Sequence, residues 1–169
     1  MTRVRQATAA DGAAIGRVQV ETWRAAYGAL LPQEVVEAFD ADARGRMWAQ
    51  GLERAPRPGS ATFVAEDGGD VFGFASVGRW RDDADDAGEL YALYVHPSRW
   101  GTGAGRALLE QAEQSLRDSG FAEARLWVLD GNERAIRFYG RAGWSHDGVR
   151  KDEDFQGAPV IELRFAKTL

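Results

Sequence analysis

The chain has 169 residues, enough for one domain with a substantial core, and 44% of them are hydrophobic against 28% charged. A net charge of −5 and a pI near 5.1 leave no basic face for phosphate neutralisation, so nucleic acid is not expected as a partner. No apolar run approaches the ~20 residues of a membrane span, the absence of cysteine excludes disulfides and thiolate chemistry, and His96 and His146 lack metal spacing.

The opening "MTRVRQATAADG" has no apolar signal core, so a cytoplasmic protein is expected. "RVRQAT" alternates as a short strand and meets Asp11, a candidate N-cap. A helix follows to about Tyr27, with Ile15, Val18, Thr22 and Ala26 at helical spacing. "LPQEVVEAFDADARGRMWAQGLE" reads as two helical pieces. After the loop "RAPRPGS", the segments "ATFVAED" and "VFGFASVG" form a hairpin around Gly68–Gly69.

"RWRDDADDAG" is an acidic connection. "ELYALYVHP" is a strand ended by Pro97, which has no N–H to pair. A glycine-rich turn then leads into a helix from about Gly105 to Ser119. Leu108, Leu109, Ala112 and Leu116 make its apolar face, and Arg106, Glu110, Glu113 and Arg117 are expected to point outward. "EARLWVL" is a strand. "NERAIRFYGRAG" is a short helix with Asn132 as N-cap. "WSHDGVR" and "PVIELRF" are the last strands. The order predicts an α/β fold with a mixed sheet between helices, formed as a single domain over residues 1–169.

The turn carries the chemistry. Gly101, Gly103 and Gly105 occupy alternate positions between a strand and a helix start. A helix N-terminus offers unpaired N–H groups and the positive end of its dipole, and bare glycine lets a phosphate reach the backbone. This is an anion site. The P-loop pattern is absent. The dinucleotide pattern fails because Arg106 stands where its third glycine belongs.

"LYVHPSRWGTGAGRALL" resembles motif A of the GNAT superfamily of acyl-CoA-dependent N-acyltransferases, Gln/Arg-x-x-Gly-x-Gly/Ala. Trp100, Gly103 and Gly105 take those places, with Trp100 departing from the usual Gln or Arg. "NERAIRFYGRAGW" is similar to the family's downstream signature at Asn132, Ala135 and Tyr139, and "ETWRAAYGALLP" looks like the first helices of bacterial members.

The resemblance implies a GNAT-like mixed sheet of about seven strands with about four flanking helices. It implies acetyl-CoA as acyl donor and no metal. The pantetheine arm would add beside Leu93, Tyr94 and Val95 through backbone bonds. Trp100, Gly101, Thr102, Gly103, Ala104, Gly105 and Arg106 would surround the pyrophosphate, and Asn132 would meet the pantetheine or simply cap its helix. Tyr139 would protonate the leaving thiolate, or else pack in the core. Glu89 would be the general base, or else a strand-edge carboxylate; Glu89, Tyr91 and Leu93 share a face by the strand period of two. The neighbouring strand offers Arg125 and Trp127 where some protein-N-terminal acetylating members carry an acid, which favours Glu89 and disfavours that substrate class.

Trp23, Tyr27, Trp80 and Tyr91 could line an acceptor pocket or belong to the core. Asp82, Asp83, Asp85 and Asp86 are a solvated run or a lure for a cationic amine. The expected reaction is direct acetyl transfer to a primary amine, of a small molecule first, in a ternary complex. A non-catalytic acyl-CoA-binding module and a protein-amine acetyltransferase remain alternatives, and a homodimer stays open.

Overall fold

A computed structural model describes residues 1–81 and 86–169. Seven strands form one mixed sheet, β1 (Arg3–Gln6), β2 (Ala61–Asp67), β3 (Asp70–Arg79), β4 (Gly88–Val95), β5 (Glu123–Leu129), β6 (Ser145–Phe155) and β7 (Ala158–Thr168), in the spatial order β1-β2-β3-β4-β5-β7-β6. Among the described residues five α-helices flank it: α1 (Gly12–Tyr27), α2 (Gln33–Glu37), α3 (Ala41–Glu53), α4 (Ala104–Asp118) and α5 (Glu133–Arg141). This is the α/β architecture expected from the element order, with α2 only five residues long.

The sheet divides its apolar side chains between two layers. Leu108, Leu109, Ala112 and Leu116 of α4 pack on Ala75, Val77 and Leu90, and Tyr139 of α5 joins the same cluster. On the other side Ile15 and Val18 of α1 meet Val64 and Phe74. There α1 and α3 come unusually close: a Cβ on Gly16 would lie 2.4 Å from the backbone N of Gly45. Two glycines facing each other make this approach possible.

Three local expectations are revised. Glu113 does not point outward; it is 4% exposed. Its carboxylate accepts from Lys167 Nζ at 2.8 Å and from the Trp144 indole N–H at 2.9 Å, so its charge is matched inside. Asp11 sits at the N-cap position of α1 without a side-chain cap bond; its carboxylate is taken by both terminal nitrogens of Arg5 at 2.8 Å and by the Thr8 N–H at 2.7 Å. Strand β6 runs on past Arg150 to Phe155, because an edge strand tolerates the charges of "KDEDF" on its open side.

The central irregularity lies in β4. Ser76 pairs with Ala92 but Val77 pairs with Leu90, so Tyr91 is an extra residue, a β-bulge. Glu89, Tyr91 and Leu93 therefore do not follow the simple two-residue alternation expected of them. Strand β4 also pairs with β5 only at Gly88↔Ala124 and Glu89↔Arg125. Beyond these two pairs the strands part and leave a wedge in the middle of the sheet.

Candidate active site

The wedge is a cavity of about 330 Å³. One wall is β4 from Leu90 to Val95, the other is Leu126–Val128 of β5. On its β3 side β4 is paired as far as Val95, while its β5-facing edge is free beyond Glu89. An unpaired edge is a template for an extended ligand carrying amides. Val95 has its carbonyl already occupied: the Thr22 hydroxyl donates to it at 3.2 Å and the Trp100 indole N–H at 2.7 Å. Two donors fill its two lone pairs, which leaves Leu93 and Tyr94 the freer of the three.

The far end of the wedge is the glycine turn. Gly101, Gly103, Gly105 and Arg106 line it, with Trp100. Gly101 and Gly103 have φ of +77° and +88°, where a side chain is strained, and a Cβ on either would meet no protein atom within 4 Å. Their open side meets no protein atom where they line the wedge. Gly103 is the N-cap of the 15-residue α4 and makes no side-chain cap bond, so the first-turn amides of α4 keep their donors. The amides and the dipole favour an anion.

Of the residues expected around a pyrophosphate, Thr102 and Ala104 are not in the wall. The Thr102 hydroxyl donates to the Arg99 carbonyl at 2.7 Å, and Ala104 is buried beneath the turn. The Arg106 guanidinium is turned to Glu110 at 2.7 Å, which raises its pKa. Arg99 and Arg134 also line the wedge, and sequence reasoning did not single them out.

Tyr139 reaches the wedge from α5, buried to 9% exposure against Phe138 and Trp144. Among the described residues its hydroxyl has no hydrogen-bond partner. Burial, then the nearby Tyr27, pushes its pKa up, so the phenol holds its proton at neutral pH. Asn132 caps α5, its Oδ1 accepting from Ala135 N–H at 3.3 Å, and its Nδ2 donates to the Tyr27 hydroxyl at 3.4 Å. Capping does not remove it from the wedge, which it also lines.

A second cavity, of about 210 Å³, adjoins the first. The two share Tyr27, Leu90, Tyr91, Tyr94 and Trp127. Trp23 stacks on Phe39 at 4.1 Å and meets Phe155 at 5.0 Å, giving the second cavity an aromatic wall. Glu89 opens into it and not into the wedge. At 2% exposure Glu89 is no surface carboxylate; it accepts from Arg81 through Nη2 at 2.7 Å, the backbone N–H at 3.1 Å and Nε at 3.2 Å.

Sequence reasoning missed the opposite wall. Lys151 and Glu153 of β6 and Glu162 of β7 face this cavity. Lys151 Nζ stands 3.3 Å from Glu162 and 3.4 Å from Glu153. The register pairs Lys151 with Glu162 and Glu153 with Val160. The period of two along "KDEDF" and "PVIEL" carries this signal, but only once β6 is known to continue that far.

Trp80 lies outside both cavities. It is 3% exposed, stacked on Trp127 at 5.8 Å, and its indole N–H is buried without a partner among the described residues. Tyr91 borders both cavities and donates to the Arg79 carbonyl at 2.5 Å. Of the acidic run, Asp82, Asp83 and Asp85 lie outside the described residues; Asp86 pairs with Arg79 at 2.7 Å on the surface. His96 bonds Glu21 at 2.6 Å and caps the turn at Pro97–Arg99 through Ser98. His146 is exposed and stacks on Phe165.

A sheet split beside a glycine turn at a helix N-terminus defines an acyltransferase of the GNAT fold, and the comparisons agree. Residues 19–144 match the acetyltransferase (GNAT) family. The chain is 36% identical over 154 residues to the uncharacterized N-acetyltransferase YuaI of Bacillus subtilis, covering 90% of this chain and 84% of that one. PaiA N-acetyltransferase from Thermoplasma acidophilum, solved with coenzyme A, shares the fold at a TM-score of 0.74 and 21% identity, over 100% of this chain and 99% of that one. YncA from Salmonella typhimurium, solved with acetyl-CoA, does so at 0.75 and 24%, over 100% and 94%. The chain belongs to the acetyltransferase (GNAT) family.

Proposed function

We propose that this chain transfers acetyl from acetyl-CoA to the primary amine of a small molecule, by direct attack in a ternary complex. One observation carries the reading. Two cavities of different chemistry meet across Tyr27, Tyr91 and Tyr94, where β4 and β5 part. The wedge suits the donor, with a free strand edge for pantetheine amides and helix N–H groups for phosphates. The second cavity suits the amine, with carboxylates for its charge and aromatic faces for its body.

In this reading the amine arrives as an ammonium and loses a proton to Glu89, directly or through water. The free amine attacks the thioester carbonyl. A backbone N–H near Tyr94 or Val95 supports the negative charge on the oxygen. As the C–S bond breaks, the Tyr139 hydroxyl donates its proton to the departing sulfur, and the proton shed by the newly acylated nitrogen restores the phenol. Arg81 holds the Glu89 carboxylate in place through its backbone N–H and two guanidinium nitrogens. The small size of the second cavity favours a small acceptor over a folded protein. The reading places the whole activity in one domain.

The test is release of free CoA from acetyl-CoA across a broad panel of small amines and peptides. Turnover with a small amine supports the reading. Turnover with peptides alone transfers it to a protein substrate, and tight acetyl-CoA binding without turnover on any amine makes the chain a binding module.

A further inference from the structure

The donor wedge carries three arginines, and they are not equivalent. Arg106 is committed to Glu110 at 2.7 Å on the outer surface of α4, with 80% of its side chain exposed. Arg99 lies over the Phe72 ring and 3.8 Å from Asp67. Arg134 has no carboxylate within ion-pair reach among the described residues. Its guanidinium carbon instead lies 3.2 Å from the centre of the Trp100 ring.

That ring is fixed. The Trp100 indole N–H donates to the Val95 carbonyl at 2.7 Å, which ties the turn to the end of β4. A guanidinium whose carbon lies this close over a fixed ring uses its face for the contact and keeps N–H groups for another partner, and such a fork can grip a phosphate with two bonds. Burial against its surroundings lowers the Arg134 pKa, the mark of a partly desolvated cation without an anion to compensate it. Arg134 belongs to the first turn of α5, opposite the first turn of α4, so both helix starts line the same end of the wedge.

The motif resemblance expects a polar Gln or Arg at position 100, and the chain has a tryptophan. We infer that Arg134, held on the Trp100 ring, is the side-chain cation that binds a phosphate of the acyl-CoA donor, and that Trp100 serves as its platform. The inference rests on the proposed function and adds to it a specific donor-binding pair.

The test measures dissociation constants of the full chain for CoA, dephospho-CoA and acetyl-pantetheine, with Arg134→Met, Arg134→Lys and Trp100→Leu. Met keeps the apolar stem and removes the cation. Arg134→Met should bind CoA ~10–100-fold more weakly, the range for a lost charge-assisted contact, and acetyl-pantetheine as the parent does. Arg134→Lys should fall between, because it keeps the charge without the fork, and Trp100→Leu should weaken CoA in the same direction. If the loss persists with dephospho-CoA, the contact is to the pyrophosphate; if it vanishes there, the contact is to the 3′-phosphate. Either result supports the inference. An Arg134→Met variant that binds CoA like the parent overturns it alone, and so does an equal loss for acetyl-pantetheine, which would mark a damaged fold. A parent chain that binds no CoA overturns the functional reading as well.

Discussion

Arg81 grips Glu89 from both carboxylate oxygens, Nη2 to Oε1 at 2.7 Å and Nε to Oε2 at 3.2 Å. The guanidinium is mostly exposed and the carboxylate is sealed at 2%. Three donors from Arg81 fix the orientation of that carboxylate. With a verified amine, Arg81→Met should lower turnover by releasing the Glu89 carboxylate from its place, with KM for acetyl-CoA unchanged. Glu89→Gln should lower turnover ~10²–10⁴-fold and recover activity as pH rises and free amine accumulates. Parent-like turnover and pH profile in Glu89→Gln would assign the base to another group.

Tyr139 offers a hydroxyl with no hydrogen-bond partner among the described residues, on a ring packed between Phe138 and Trp144. Tyr139→Phe keeps the ring and removes the donor. Turnover should fall ~10²–10⁴-fold while the dissociation constant for acetyl-CoA stays within about threefold. Since burial raises this phenol, its ionisation should not shape the rate below pH ~10. Parent-like turnover in the Phe variant would leave Tyr139 a core residue only.

Gly103 combines a positive φ with an open outer side. Acetyl-CoA at a hundredfold above its dissociation constant should stabilise the parent by about 2.7 kcal/mol. Gly103→Val should lose most of that gain in a thermal-shift titration, since its side chain would stand in the ligand's path. Its unliganded stability should drop by about 2 kcal/mol, the strain of a β-branched residue at φ +88°. Undiminished stabilisation by acetyl-CoA would move the anion site away from the turn.

The order of elements and the glycine turn were legible because their signals are local. Alternation gave the hairpin at Gly68–Gly69, helical spacing gave α4, and Asn132 announced α5. What stayed hidden is non-local. The bulge at Tyr91 exists only in the pairing of β4 with β3, and the parting of β4 from β5 only in the assembled sheet. Glu113 reads as a surface residue until Lys167, 54 positions away, is beside it. Lys151, Glu153 and Glu162 read as solvated charges until β6 and β7 bring them to one cavity. Trp80 carried two readings, pocket wall or core, and only its packing against Trp127 in the assembled sheet places it in the core.

Glu162 faces the second cavity with Lys151 as its partner at 3.3 Å. It lies outside the wedge, so under the proposed function it would meet the positive charge of the acceptor alone. Glu162→Gln should raise KM for a cationic amine ~10-fold, on the scale of one charge-assisted hydrogen bond, with KM for acetyl-CoA unchanged. A neutral amine analogue should feel the substitution much less. Equal effects on both amines would mean that Glu162 shapes the cavity and does not read charge.

Asp11 supplies a stability switch remote from the site. Both terminal nitrogens of Arg5 donate to its carboxylate at 2.8 Å, and the Thr8 N–H adds a bond at 2.7 Å. The Arg5 guanidinium above all holds its pKa down to about 2, against 3.8 for an ordinary aspartate. A carboxyl lowered on folding stabilises the protein above its unfolded pKa and loses that contribution as pH falls through the folded one. The contribution is therefore complete above pH ~4 and fades towards pH 2. Its scale is about 2 kcal/mol, or a Tm difference of ~4–8 °C for a chain of this size. Asp11→Asn should melt lower than the parent by this margin at pH 6, and the gap should narrow steadily from pH 4 to pH 2. Because other carboxyls titrate in both proteins, the difference between the two melting curves is the quantity to follow. A gap that does not change with pH would show that Asp11 acts there through shape alone.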